Sequence, residues 1–427
     1  MPETVLRVPG DKSITHRALI LAALATGRSR VLRPLTSADT RSTAAVLRAL
    51  GAGVGELADE TFIDGAGLHG LRAAAGALDC GNSGTTARLL MGVLAGYPFE
   101  STLTGDASLR SRPMRRVTVP LSRMGAIFEE LDAPDRLPIR LRGGELRPLS
   151  YDSPHASAQV KSALLLAGLT GGVRVSVTEP VLSRDHTERM LVRLGVPVVT
   201  GRRPDGRSGV ALAPATRLTS FEMEIPGDAS SAAFIAAHAL LAATAPVRIC
   251  DVGLNPTRAG FFDVVRRMGG RIEFANVRES CGEPIGDVIV ERSALHGTTV
   301  TPAEIPALVD EVPVLAVLAA RAEGITAVEG AAELRVKESD RIHALVSNLE
   351  RIGASAEERP DGLVVQGGAH PLAGSIRAAG DHRIAMAFGV LGAATDVAVD
   401  IDDRDVVDVS FPGFWALLDE LRKQDAS

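Results

Sequence analysis

The sequence predicts an α/β protein of two similar domains, each built from three β-α-β-α-β-β repeats. Three observations predict it. Residues 8–17, VPGDKSITHR, run into the Ala/Leu stretch ALILAALATG, and the same hydrophobic-Pro-Gly-Asp-x-Ser turn with a small-residue helix behind it returns at 225–242, IPGDASSAAFIAAHALLA. Turn-plus-helix segments begin near Gly10, Gly81, Ser153, Gly227, Leu308 and Gly380, roughly 70 to 80 residues apart. After each comes a β-like run and a second, more polar helix that usually closes on Leu-x-x-x-Gly, as in LSRMG, LVRLG and LERIG. This period is longer than that of solenoid modules, so compact domains are expected. The return of the turn after three units places the junction near residues 225–227, giving domains of 9–226 and of 1–8 plus 227–427. The first strand, ahead of Val8, is assigned to the second domain.

Each first helix opens on polar residues. In the first, Pro-Gly-Asp is a turn with a capping side chain, which sets Lys12, Ser13 and Arg17 at a helix N-terminus where free N–H groups and the macrodipole favour an anion. The second opens with Asn82, Ser83, Gly84 and Thr85, the third with Ser157, Gln159 and Lys161. The fourth, with Ser230 and Ser231, repeats the turn but lacks counterparts of Lys12 and Arg17, so the scaffold is duplicated and the chemistry is not. Asp310 and Glu311 open the fifth, and Asp381, His382 and Arg383 the sixth. Connections to the second helices add Arg112, then Arg184, His186 and Glu188, then Lys337, Glu338 and Arg341. Many cations with a few acids suit a strongly anionic substrate and proton transfer.

Composition narrows the class. With 45% hydrophobic and 23% charged residues the chain is globular, and with only 3% aromatics its Ala- and Gly-rich helices are expected to pack closely. A net charge of −6 argues against a nucleic-acid partner. Cys80, Cys250 and Cys281 have no metal-ligand spacing and are expected to be reduced. Residues 232–247, the longest apolar run, are too short to span a membrane, and the turn begins within ten residues of Met1, so a cytoplasmic protein is expected. GxxxxGK[ST], a GxGxxG between strand and helix, GxSxG and HExxH are all missing. Four lysines stand against 42 arginines, and Lys12, Lys161 and Lys337 fall in the motifs above, where a compact charge of adjustable pKa has a use that Arg lacks.

Taken in order, PGDKSITHRALILAALA, GNSGTTARLL, SRPM, SAQVKSALLLAGL, SRDHTERML, PGDASSAAFI, RVKESDR and GDHRIAMAF closely resemble the enolpyruvylshikimate-phosphate synthase family over essentially the whole chain. GDKS, SAQVK, RDHTE and NPTR resemble its class II bacterial members. The resemblance implies the enolpyruvyl transferase fold, an inside-out α/β barrel whose two domains close on substrate. It implies transfer of the enolpyruvyl group of phosphoenolpyruvate to the 5-hydroxyl of shikimate 3-phosphate, on the way to chorismate, with no cofactor and no metal; a monomer is expected. It further implies that Lys12, Ser13, Arg17, Ser157, Gln159, Asp310 and Lys337 hold shikimate 3-phosphate, and that Lys12, Gly84, Arg112, Gln159, Arg341 and Arg383 hold phosphoenolpyruvate, where the inhibitor glyphosate also binds. Asp310 orients or deprotonates the hydroxyl, and Glu338 and Lys12 are the two candidates for the proton donor. Three positions depart from the pattern: Ala158 replaces a second serine, Val409 stands where many members have a lysine before Phe-Pro, and Glu333 stands at an asparagine position that is not carried over. The sister enzyme acting on UDP-N-acetylglucosamine opens with Lys-Asn rather than Lys12-Ser13 and usually carries a loop cysteine, which residues 105–113 lack. A non-catalytic repeat scaffold is the alternative from another class, and the unequal decoration of the repeats speaks against it.

Overall fold

The computed structural model describes residues 3–369, 371–395 and 398–425. The chain forms two compact units: Gly10–Ile225 with Ser280–Glu283, and Met1–Pro9 with Pro226–Glu279 and Pro284–Ser427.

The second repeat shows the common pattern. Strand Leu78–Asp79 leads into helix Gly84–Ala95 and pairs in parallel with the next strand, Glu100–Thr104. Helix Arg115–Met124 follows, and a hairpin of Ile127–Glu130 and Ile139–Arg142 returns antiparallel to Glu100–Thr104, with Ile139–Arg142 on the inside. The third repeat orders Leu149–Asp152, Val175–Glu179, Ser208–Leu212 and Val198–Arg202 in the same way, and the fifth Thr299–Val300, Gly324–Val328, Gly362–Gly367 and Ser355–Arg359. Parallel strands need a crossover, and in these three repeats the first helix supplies it.

Repeats one and four exchange their leading strands. Thr4–Arg7 precedes the first helix but pairs in parallel with Val247–Gly253 of repeat four, Thr4 opposite Val247. Glu222–Glu224 precedes the fourth helix but pairs in parallel with Thr26–Leu32 of repeat one, Glu222 opposite Arg30. Each exchanged strand completes a sheet of the unit it lies in, which is why the unit boundaries fall at Pro9 and Ile225. The sixth repeat departs from the expected six equal copies: among the described residues its sheet has two strands, Gly374–Ile376 and Val399–Ile401, followed by helix Phe414–Asp425.

The six first helices form the cores. Helix Lys12–Leu24 is buried on every side beyond Ser13, and Ala229–Ala242 from its first residue through Leu240, as helices apolar all round must be. The second helices, such as His186–Arg193 and Arg341–Arg351, are amphipathic and bury one face. Small residues set the spacing: a Cβ on Gly92 would lie 2.1 Å from the carbonyl oxygen of Ala163, so helices Gly84–Ala95 and Ala158–Gly171 touch backbone to backbone. Five of the six first helices carry a side-chain cap. Asp11, Ser83, Ser157, Asp228 and Asp381 accept hydrogen bonds from Ile14, Thr86, Val160, Ser230 and Arg383 amides, while Glu311, in the same place on the fifth, makes none. All three cysteines are unpaired, and among the described residues no helix is long and apolar enough to cross a membrane.

Candidate active site

Seven of the residues expected to bind or react lie in the first unit: Lys12, Ser13, Arg17, Gly84, Arg112, Ser157 and Gln159. The cap by Asp11 at 2.8 Å sets Lys12 and Ser13 in the opening turn of their helix, where both stay half-buried. Lys12 Nζ donates to Asp39 Oδ2 at 3.1 Å. One turn further on, Arg17 is buried and held on every nitrogen: Nε donates to Thr187 Oγ1 at 2.7 Å, Nη2 to Ser162 Oγ at 2.8 Å, and Nη1 to the carbonyl of Ser13 at 2.9 Å. Burial lowers its pKa to about 10, with Arg184 adding to the effect and Glu188 and Asp11 opposing it. The guanidinium therefore remains charged at neutral pH, and its three partners fix its orientation.

The second and third helices meet through Arg88. Its Nη1 donates to Gln159 Oε1 at 2.9 Å and its Nη2 to the carbonyl of Pro113 at 3.0 Å, while Gln159 Nε2 donates to Thr85 Oγ1 at 3.1 Å. Arg112 donates from Nη2 to Asn82 Oδ1 at 2.6 Å and to Ser108 Oγ at 3.2 Å. Gly84 opens its helix directly under both guanidinium groups: a Cβ there would stand 2.7 Å from Arg88 Nη1 and 3.5 Å from Arg112 Nη1.

Lys161, one of the scarce lysines, is committed to buried ion pairs. Its Nζ is buried between Glu179 Oε1 at 2.7 Å and Glu188 Oε1 at 2.9 Å and also donates to the carbonyl of Ser183 at 3.1 Å. Burial works against its charge, and the two carboxylates outweigh it and raise its pKa. Burial likewise pushes the Glu188 carboxyl up against the pull of Lys161. His186 is buried too, with Nδ1 2.8 Å from Glu283 Oε1 of the 280–283 turn. These residues of the SRDHTER segment anchor the connection beside Arg17, through Thr187.

The other five expected residues, Asp310, Lys337, Glu338, Arg341 and Arg383, lie in the second unit. Arg341 is 1% exposed and joins three carboxylates. Its Nε donates to Asp381 Oδ2 at 2.7 Å, its Nη2 to Glu338 Oε2 at 2.5 Å, and its Nη1 lies 3.5 Å from Asp310 Oδ1. Burial opposes the charge of Arg341, but Asp381, Glu338 and Asp310 together raise its pKa above the ordinary value. Arg383 donates from Nη1 to the carbonyl of Asp310 at 2.9 Å and to the hydroxyl of Ser230, and its Nη2 is 3.8 Å from Asp310 Oδ2. Asp310 thus sits between the two arginines. Lys337 is turned aside toward Glu333 Oε1, 3.2 Å away. Among the described residues no group of three or more His, Cys, Asp or Glu side chains could hold a metal ion.

The family model for EPSP synthase (3-phosphoshikimate 1-carboxyvinyltransferase) matches residues 3–418. The chain belongs to the EPSP synthase family. It is 50% identical over 417 residues to 3-phosphoshikimate 1-carboxyvinyltransferase of Desulforudis audaxviator (strain MP104C), covering 97% of this chain and 96% of that one. With the enzyme of the same name from Alkaliphilus metalliredigens (strain QYMF) the identity is 46% over 412 residues, 96% of each. A solved EPSP synthase from Acinetobacter baumannii superposes with a TM-score of 0.85 at 40% identity, covering 98% of this chain and 95% of that one. The enolpyruvyl transferase NikO from Streptomyces tendae shares the fold, with a TM-score of 0.76 at 20% identity over 99% of this chain and 94% of that one.

Within this EPSP synthase architecture, sequence reasoning overlooked Asp39, Arg88 and the role of Asp381. Arg88 was findable: it stands four residues after Gly84, hence on the same helix face. Asp381 was recognisable as a cap, but its grip on Arg341 spans 40 residues and has no local signature.

Proposed function

We propose that the chain transfers the enolpyruvyl group of phosphoenolpyruvate to the 5-hydroxyl of shikimate 3-phosphate and releases phosphate, with the two ligands divided among the residues described. Lys12, Ser13, Arg17, Ser157, Gln159 and Lys337 hold shikimate 3-phosphate. Lys12, Gln159, Arg112, Arg341 and Arg383 hold phosphoenolpyruvate, with the backbone at Gly84 against it. The observation that carries this reading is the Arg341 cluster, where one buried guanidinium touches both acids the reaction needs, Asp310 and Glu338.

The chemistry follows from that placement. Protonation of the phosphoenolpyruvate methylene by Glu338 or Lys12 makes the adjacent carbon electrophilic; the 5-hydroxyl adds to it and gives its proton to Asp310. Loss of a proton from the new methyl group with departure of phosphate restores the enol ether. The arriving anion competes with Glu338 for Arg341 Nη2, freeing the carboxyl to face the methylene. Buried arginines prearranged by Asp310, Asp381 and Ser230 suppress repulsion between two anionic ligands at little cost in ordering.

We take the protein to act as a monomer in the cytoplasm, and three unpaired thiols support the cytoplasm. The test is phosphate release with both substrates in EDTA. Release that requires both supports the reading; a divalent-ion requirement, or turnover only when UDP-N-acetylglucosamine replaces shikimate 3-phosphate, overturns it.

A further inference from the structure

Glu311 occupies the N-cap position of helix Val312–Arg321 and, among the six first helices, is the one such residue whose side chain does not cap. Its carboxylate is 1% exposed and committed elsewhere. Oε2 pairs with Arg258 Nη1 at 2.7 Å, and Oε1 accepts the hydroxyl proton of Ser230. Arg258 is buried as well, with Nη2 3.5 Å from Asp228 Oδ1. Its direction is set by the NPTR turn, in which Asn255 Oδ1 accepts from the Thr257 amide at 2.9 Å and from its hydroxyl at 2.8 Å, and the Arg258 amide returns to the Asn255 carbonyl at 2.8 Å.

The consequence runs through Ser230. A hydroxyl has one proton, and here it is spent on Glu311, so the Ser230 oxygen presents a lone pair to Arg383 Nη1. Arg383 Nη1 also lies 3.6 Å from Glu311 Oε1 and donates to the Asp310 carbonyl. We propose that Glu311, anchored by Arg258, is a positioning residue that fixes the guanidinium of Arg383 and with it the phosphoenolpyruvate subsite. This rests on the enolpyruvyl-transfer reading, which assigns Arg383 to phosphoenolpyruvate. The NPTR segment thereby acquires a role, since it supplies the counterion without which a buried carboxylate could not stay at this place.

Glu311→Gln separates this role from mere packing. An amide of the same shape must turn its oxygen to Arg258, which only donates, and so presents an NH2 group to Ser230 and Arg383, where the wild type has an acceptor. Ser230→Ala removes the link without touching either charge, in a helix made of small residues. For Glu311→Gln the expected result is a rise of about tenfold or more in the Michaelis constant for phosphoenolpyruvate, and for Ser230→Ala a smaller rise of the same kind. The dissociation constant of shikimate 3-phosphate, titrated without phosphoenolpyruvate, stays within about twofold of wild type in both. A Michaelis constant for phosphoenolpyruvate within twofold of wild type in soluble variants overturns the proposal, as does an equal loss of affinity for both substrates. Ser230→Ala alone decides the matter if Glu311→Gln is insoluble. Wild-type protein that shows no turnover of the two substrates instead overturns the functional reading itself, and that is seen before any variant is made.

Discussion

Gly84→Ala adds a single methyl group under the guanidinium groups of Arg88 and Arg112. Helical backbone accepts alanine readily, so the effect comes from contact. The new Cβ would stand 2.7 Å from Arg88 Nη1, against the 3.4 Å of an ordinary contact, so the guanidinium must retreat by about 0.7 Å. Arg88 cannot pivot freely, because Nη2 is tied to the Pro113 carbonyl at 3.0 Å. What gives way is the 2.9 Å bond from Nη1 to Gln159. A hydrogen bond to a charged group contributes about 1.5 to 3 kcal/mol, and losing half of it lets Gln159 swing at a cost of about tenfold in substrate affinity. The methyl meets Arg88 first, and Arg112 Nη1, next at 3.5 Å, stays in ordinary contact. Glyphosate is longer than phosphoenolpyruvate and, in the proposed phosphoenolpyruvate subsite, has less room to follow a displaced Gln159, so its inhibition constant should rise further, by about 1 to 3 kcal/mol beyond the substrate's change. The assay compares the glyphosate inhibition constant with the phosphoenolpyruvate Michaelis constant in wild type and Gly84→Ala. The reasoning is refuted if the inhibition constant rises no more than the Michaelis constant.

Lys12→Arg and Lys337→Arg keep the charge but not its shape, and each is expected to lower turnover by about a hundredfold; near-wild-type kcat in either would show that lysine scarcity is no guide there. Lys161→Met leaves Glu179 and Glu188 facing each other without a counterion, so urea unfolding should show a loss of about 3 to 5 kcal/mol, and a loss under 1 kcal/mol would contradict the buried triad. His16 is buried against Thr43, and burial, then Lys12 and Arg17, hold its pKa well below 6.5. A lowered folded-state pKa contributes stability that is present above the unfolded value and lost as pH falls below it. Wild type should therefore lose up to about 1.4 kcal/mol per pH unit more than His16→Gln on descending below pH 6.5, and parallel stability curves would sink the assignment.

What the sequence determined by itself was everything carried by neighbours along the chain. The two Pro-Gly-Asp turns with their caps at Asp11 and Asp228, and the six turn-plus-helix segments spaced along the chain, are local patterns with local causes, so the repeat and the two-domain reading were legible without coordinates. The motif order likewise pointed to the family, and residue types at the helix openings suggested the anion site proposed above. Tertiary structure alone decided the pairings. Nothing local tells Thr4–Arg7 to seek Val247–Gly253 across some 240 residues, because a short parallel strand's partner is set by which sheet edge its unit leaves open. The same holds for Lys161, which composition grouped with the chemical lysines and burial placed between two glutamates. Glu311 shows the division most clearly: its position marks a helix start, yet its carboxylate serves Arg258 and Ser230, since a buried charge goes to whichever partner the fold brings within reach.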